Sequence, residues 1–173
     1  MNIKLKFCVV LFALVSFAAC TEHEMKAPPK MKPFKAIPFT LQDVSGKKIS
    51  FGDYAGKSVV LNFWATWCAP CMQEMPLLDR LGRVGKKVGL EVIVVNYKET
   101  LDTVKKFTEK NDHGSATVLV DESGKLADQY QVMGLPATFF INSEGMAVYS
   151  YLGELTNEIA NNGLRALELN ERI

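Results

Sequence analysis

A chain of 173 residues has room for one ordinary domain and an N-terminal extra, but not for two full domains. Hydrophobic residues make up 48% and charged residues 23%, the make-up of a globular domain. The formal net charge of +1 gives no sign of an electrostatic nucleic-acid binder.

Residues 1–19 carry Lys4 and Lys6 ahead of an apolar run too short for a comfortable membrane span, then small residues before Cys20. This is the pattern of an export signal. The ending Phe17-Ala18-Ala19-Cys20 resembles the lipobox of bacterial lipoproteins, with Phe17 where Leu is usual. The resemblance implies that Cys20 becomes the lipid-modified first residue. Ordinary cleavage after Ala18 and an uncleaved signal anchor are the alternatives, although ordinary cleavage leaves Cys20 as an odd exported thiol. Cys8 lies inside the apolar run and is lost with it. More than one acyl chain on Cys20 holds a protein at a membrane surface, where a single chain binds only marginally. Residues 20–38 are rich in lysine and proline and poor in large apolar side chains, so they read as a semi-extended tether. The folded domain is expected at 39–173.

That domain begins with a predicted hairpin, Phe39–Val44 and Lys48–Phe51, turning at Gly46. Val59, Val60, Leu61, Phe63 and Trp64 form a nearly continuous apolar run, as expected of a strand covered on both faces. A turn holding Trp67-Cys68-Ala69-Pro70-Cys71 follows, and a helix starts at the cysteines with Leu78, Leu81 and Val88 as its apolar stripe and Pro76 as a kink. Leu90 to Asn96 is a second buried strand. Thr100 is a predicted N-cap for a helix with Leu101, Val104 and Phe107 on one face. Ala116 to Val120 is a third strand, Leu126 and Tyr130 mark a short helix, and Ala137 to Ile141 pairs through the turn at 142–145 with Met146 to Leu152. Thr156 caps the last helix. The alternation gives an α/β domain, a central mixed sheet flanked by helices with an added N-terminal hairpin.

The chemistry concentrates at the two cysteines. A thiol where a strand turns into a helix sits beside unpaired backbone N–H groups and the positive end of the helix dipole, which favour the reactive thiolate. Two intervening residues let the sulfurs meet within the first helical turn, so one disulfide can open and close with little backbone movement. The spacing points to a redox-active site. Glu74 lies three residues after Cys71 on the same helical face. As a partly buried carboxylate with a raised pKa it is a candidate to exchange the Cys71 proton, against the plainer reading of a surface carboxylate.

Three motifs, NFWATWCAPC (62–71), Glu74-Met75-Pro76 and MGLPATFFI (133–141), together resemble the thioredoxin superfamily, and more narrowly its TlpA/ResA-like thiol-disulfide oxidoreductases, which are anchored outside the bacterial cytoplasmic membrane. The match runs from about Phe39 to the C-terminus. It implies a thioredoxin-like three-layer sandwich. It also implies that exposed Cys68 attacks a substrate disulfide and that the less accessible Cys71 resolves the mixed disulfide. Ala69 and Pro70 set the geometry of the turn and tune its potential. No basic side chain lies between the cysteines, which leans the reading towards a reductant. Pro136 is implied to be a cis-proline facing the cysteines, turning the Leu135 backbone outward to bond an extended substrate segment; on base rates alone it would be trans. Trp67 is expected in the apolar docking surface and Trp64 in the core. Asn62 stands where thioredoxin has a titrating aspartate, which leaves the proton role to Glu74.

The implied partners are exported cysteine-containing proteins, among them apocytochromes awaiting haem attachment, a membrane thiol-electron donor, and the membrane itself through the anchor. No cofactor beyond the Cys68–Cys71 disulfide is implied, and no metal. A zinc site lacks a second ligand pair, since His23 falls in the tether and His113 in a loop. A binding module with a static disulfide gains little from so short a loop. A copper chaperone has His113 as its single candidate histidine, and peroxide reduction fits the Trp-Cys-x-Pro-Cys turn less well than disulfide exchange does.

Overall fold

A computed structural model describes residues 31–111 and 113–169. The signal, Cys8, Cys20 and His23 lie outside the described residues. Eight strands form one mixed sheet: β1 (Phe34–Lys35), β2 (Thr40–Asp43), β3 (Lys48–Ser50), β4 (Ser58–Trp64), β5 (Leu90–Tyr97), β6 (Thr117–Asp121), β7 (Ala137–Ile141) and β8 (Met146–Leu152), in the order β1-β8-β7-β4-β5-β6-β2-β3. The helices are α1 (Ala69–Gly85), α2 (Leu101–Thr108), α3 (Lys125–Gln129) and α4 (Asn157–Ala166).

β4 is central and buried at every residue, pairing parallel with β5 and antiparallel with β7. Because successive side chains of a strand point to opposite faces, it feeds two cores. Val60 and Trp64 join Leu77, Leu78 and Leu81 of α1, Val104 of α2, and Ala160 and Leu164 of α4. Val59, Leu61 and Phe63 join Leu126 and Ala127 of α3, with Ala36 and Phe39 from the N-terminal segment. Full burial of each of those leucines contributes about 1.5–3 kcal/mol relative to exposure. The outcome is the three-layer α/β arrangement expected from the sequence, with the hairpin β2–β3 added beyond β6 through Gln42 and Asp43.

The capping expectations hold. Thr100 accepts from Thr103 N and Thr156 from Ile159 N, each side chain satisfying an orphan donor of the first turn. α1 runs on through Pro76, which withdraws one internal hydrogen bond without ending the helix.

One boundary is corrected. Phe34 and Lys35, assigned to the tether, pair antiparallel with Ala147 and Met146, and Ala36 and Phe39 are buried. The folded region therefore begins before residue 39. Phe34 is drawn in by aromatic edge contacts with Tyr130 and Phe139, partners far away in the chain.

Candidate active site

The carboxyl end of β4 leads through Ala65, Thr66 and Trp67 into α1, and Cys68 is the N-cap of that helix. Cys68 and Cys71 are joined by a disulfide with S–S 2.04 Å and Cα–Cα 5.3 Å. The Cys71 backbone N–H donates to Cys68 Sγ at 3.3 Å, so the first sulfur occupies the place a capping oxygen takes in other helices. Pro70 follows within the first helical turn, where its missing N–H costs nothing.

The expectation of an exposed Cys68 is corrected. Its neighbours Trp67, Ala69 and Pro70 are exposed, but Cys68 itself is only 5% exposed and Cys71 fully buried. Bonded to Cys71, Cys68 packs into the apolar cluster with Trp64 and Ala65. The order of access is still Cys68 before Cys71.

Glu74 is 1% exposed, deeper than the sequence reading placed it. Its Oε1 accepts from Asn62 Nδ2 at 2.7 Å and its Oε2 from the Leu155 backbone N–H at 2.5 Å. Burial pushes its pKa up to about 7. The two hydrogen bonds oppose that rise, and the nearby negative charge of Glu154 adds to it. A carboxyl group poised near neutrality is suited to proton exchange.

The Leu135–Pro136 bond is cis, as the resemblance implied. Pro136 O accepts from Gly153 N at 2.9 Å, tying this loop to the end of β8. Leu135 is partly buried against both cores. The exposed large apolar side chains among the described residues are Trp67, Met133 and Leu152. Trp67 adjoins Cys68, Met133 precedes Leu135 by two residues, and Leu152 pairs with Ala137. Trp64 fills core and stacks at a tilt on Phe107. His113 lines a groove beside α1 with Trp64, Met72, Met75 and Phe107. Among the described residues, no three His, Cys, Asp or Glu side chains form a group able to hold a metal ion, and no helix is long and apolar enough to cross a membrane.

The structure adds residues that motif reading passed over. Glu99, just after β5, accepts from Thr66 N at 2.7 Å, from Thr66 Oγ1 at 2.5 Å and from Asn96 Nδ2 at 2.7 Å. It thereby holds the backbone two residues before Cys68. Thr138, fully buried on β7, accepts from Asn62 Nδ2 at 3.0 Å. For Asn96 and Glu99 the available signal was polar residues at the carboxyl end of an apolar strand, where α/β sheets place their sites; Thr138, at the amino end of the antiparallel β7, carries no such signal.

Residues 34–150 match the model of the AhpC/TSA family. The thiol-disulfide oxidoreductase ResA of Bacillus cereus is 35% identical over 159 residues, covering 90% of this chain and 91% of that protein. ResA of Bacillus subtilis is 35% identical over 133 residues, covering 77% of this chain and 74% of that one. Among solved structures, a chain of Chlorobium tepidum described as a thiol:disulfide interchange protein, DsbE, superposes with a TM-score of 0.72 at 30% identity, over 80% of this chain and 99% of its own. The exposed lipoprotein thioredoxin Etrx1 of Streptococcus pneumoniae does so with a TM-score of 0.66 at 32% identity, over 76% of this chain and 98% of its own. With a disulfide at the head of α1, a cis-proline loop and these relatives, the chain belongs to the AhpC/TSA family and, within its thioredoxin-like α/β fold, is a ResA-like thiol-disulfide oxidoreductase with a Cys68–Cys71 pair.

Proposed function

We propose that this oxidoreductase works outside the cytoplasm, lipid-anchored through Cys20, and reduces disulfides in exported cysteine-containing proteins, apocytochromes awaiting haem among them. The observation that carries the catalytic part is a disulfide at a helix N-terminus with a buried carboxyl group of near-neutral pKa in the same helix. The relative from Streptococcus pneumoniae, described as an exposed lipoprotein, supports the anchored and exported part.

The reaction starts from the dithiol. The Cys68 thiolate, favoured by the Cys71 N–H and the helix dipole, attacks one sulfur of the substrate disulfide. A mixed disulfide forms and one substrate thiolate leaves. Glu74 takes the Cys71 proton, directly or through water, and the Cys71 thiolate attacks Cys68 Sγ. The second substrate thiolate leaves, the Cys68–Cys71 disulfide closes, and two electrons have passed to the substrate. A membrane thiol donor returns them, so the disulfide is the one redox group this scheme uses. Trp67, Met133 and Leu152 offer apolar contact to the substrate chain, and the Leu135 backbone, set by Pro136, receives it as an added strand.

The deciding experiment is the Cys68–Cys71 reduction potential, measured by equilibration in defined thiol–disulfide buffers. A value near that of thioredoxin, about −270 mV, is expected of a reductant. A value near about −120 mV marks an oxidant and reverses the direction of the scheme. A pair that does not cycle leaves a binding module instead.

A further inference from the structure

β4 is the most buried strand of the sheet, and at its centre stands an amide. Every neighbour of Asn62, from Val59 to Trp64, is apolar and buried, and a branched aliphatic side chain suits such a strand better. Asn62 points to the α1 face, as Val60 and Trp64 do, and there it meets Glu74. Thr138, its register partner on β7, points the same way.

Nδ2 spends both its protons on these two neighbours, at 2.7 Å to Glu74 Oε1 and 3.0 Å to Thr138 Oγ1. Oδ1 has no hydrogen-bond partner among the described residues. Burying an amide in so apolar a strand is costly, so this arrangement does not serve the packing of the strand. It serves an acceptor that needs a donor, and Glu74 is that acceptor. Building on the reading of Glu74 as the proton-exchanging group, we propose that Asn62 is a positioning residue: its amide, oriented by Thr138, holds Glu74 Oε1 and sets the pH at which Glu74 binds and releases its proton.

The sign follows from the chemistry. An amide N–H donated to a carboxylate favours the ionised form, so losing it makes Glu74 hold its proton to higher pH. Besides Asn62, the Leu155 N–H and the charge of Glu154, from the segment between β8 and α4, act on Glu74, and helical spacing puts Cys71 one turn back on α1. Among the described residues of the sheet, Asn62 alone donates to the carboxylate. It therefore offers a handle on Glu74 that leaves α1 and the cysteines untouched.

The test follows the carboxyl carbon of Glu74 by NMR through a pH titration of the full-length, disulfide-bonded protein. Asn62→Leu, which has the same branching and number of heavy atoms, is expected to move the midpoint upward by about one pH unit or more. A midpoint within about 0.2 of the parent's overturns the proposal, since one unit is the shift that losing a charge-assisted hydrogen bond should produce. Asn62→Asp keeps the test alive if the leucine variant does not fold. Two facing carboxyl groups share a proton, so Glu74 is expected to titrate in two steps; one unshifted step overturns the proposal. The pH–rate profile of disulfide reduction, recorded on the same variants, separates the two readings. A shifted NMR midpoint with an unmoved rate profile upholds the role of Asn62 and removes Glu74 from the proton step.

Discussion

At the scale of single residues, the site depends on what burial does to one carboxyl group. Glu74 loses its water, and the Leu155 and Asn62 N–H groups replace only part of that solvation, so its proton is held up to about pH 7 rather than 4.5. The folded protein then keeps a proton that the unfolded chain has already released. Between those two values stability falls as pH rises, because the native state binds more protons there. The contribution of Glu74 is full below about pH 4.5 and is lost by above about pH 7, a change of about 3 kcal/mol. Glu74→Gln removes that slope, which urea unfolding at a series of pH values measures directly. The same variant is expected to lower the rate of disulfide exchange at neutral pH by about 10²-fold and to flatten its pH profile. An unchanged profile ends the proton-exchange role.

At the scale of elements, the site is assembled by strand alternation. Asn62 and Thr138 meet Glu74 because β4 and β7 are in register and both residues fall on the α1 face. The same face requires close approach of α4 to β7. A Cβ on Gly163 would lie 2.2–2.4 Å from three ring atoms of Phe140, which is fully buried. Helix propensity alone favours alanine there by about 1 kcal/mol. Packing opposes it more strongly, since Phe140 has no free space into which to move. Gly163→Ala is therefore expected to destabilise the domain by about 1–3 kcal/mol, read from the urea midpoint. A stabilised variant would show that α4 is not seated on Phe140.

For the whole molecule, the question is where the site stands relative to the proposed anchor. The described chain begins at Met31, whose sulfur accepts from Ser150 Oγ at 3.1 Å, and then runs down β1 beside the lower part of β8. It thus joins the domain on the flank whose upper end, Leu152, pairs with Ala137 next to the cis-proline. The 11 residues from Cys20 to Lys30 span at most about 40 Å. The proposed anchor at Cys20 would therefore keep the domain within about 40 Å of the membrane surface. Cys20→Ala is expected to move the protein from the membrane fraction to the soluble one, as immunoblotting of fractionated cells would show; retention in the membrane removes the lipid anchor from the scheme.

Much of this was legible in the linear chain, because local rules decide it. The apolar run before the cysteines is a buried strand, Thr100 and Thr156 cap their helices, and the Cys-x-x-Cys spacing permits a disulfide within one turn. The family motifs added the cis-proline and drew attention to Glu74. What the sequence could not reveal depends on contacts between residues far apart in the chain. The short strand at Phe34–Lys35 exists only because β8 and the ring of Tyr130 are there to receive it. The burial of Cys68, the grip of Glu99 on Thr66 and the amide of Asn62 between Glu74 and Thr138 likewise need strands and helices already packed. Sequence alone singled out the candidate reactive groups, since that is a matter of side-chain chemistry and local spacing. Tertiary structure decided the proton affinity of Glu74 and the access to the cysteines, since both depend on how much water the packed fold leaves around them.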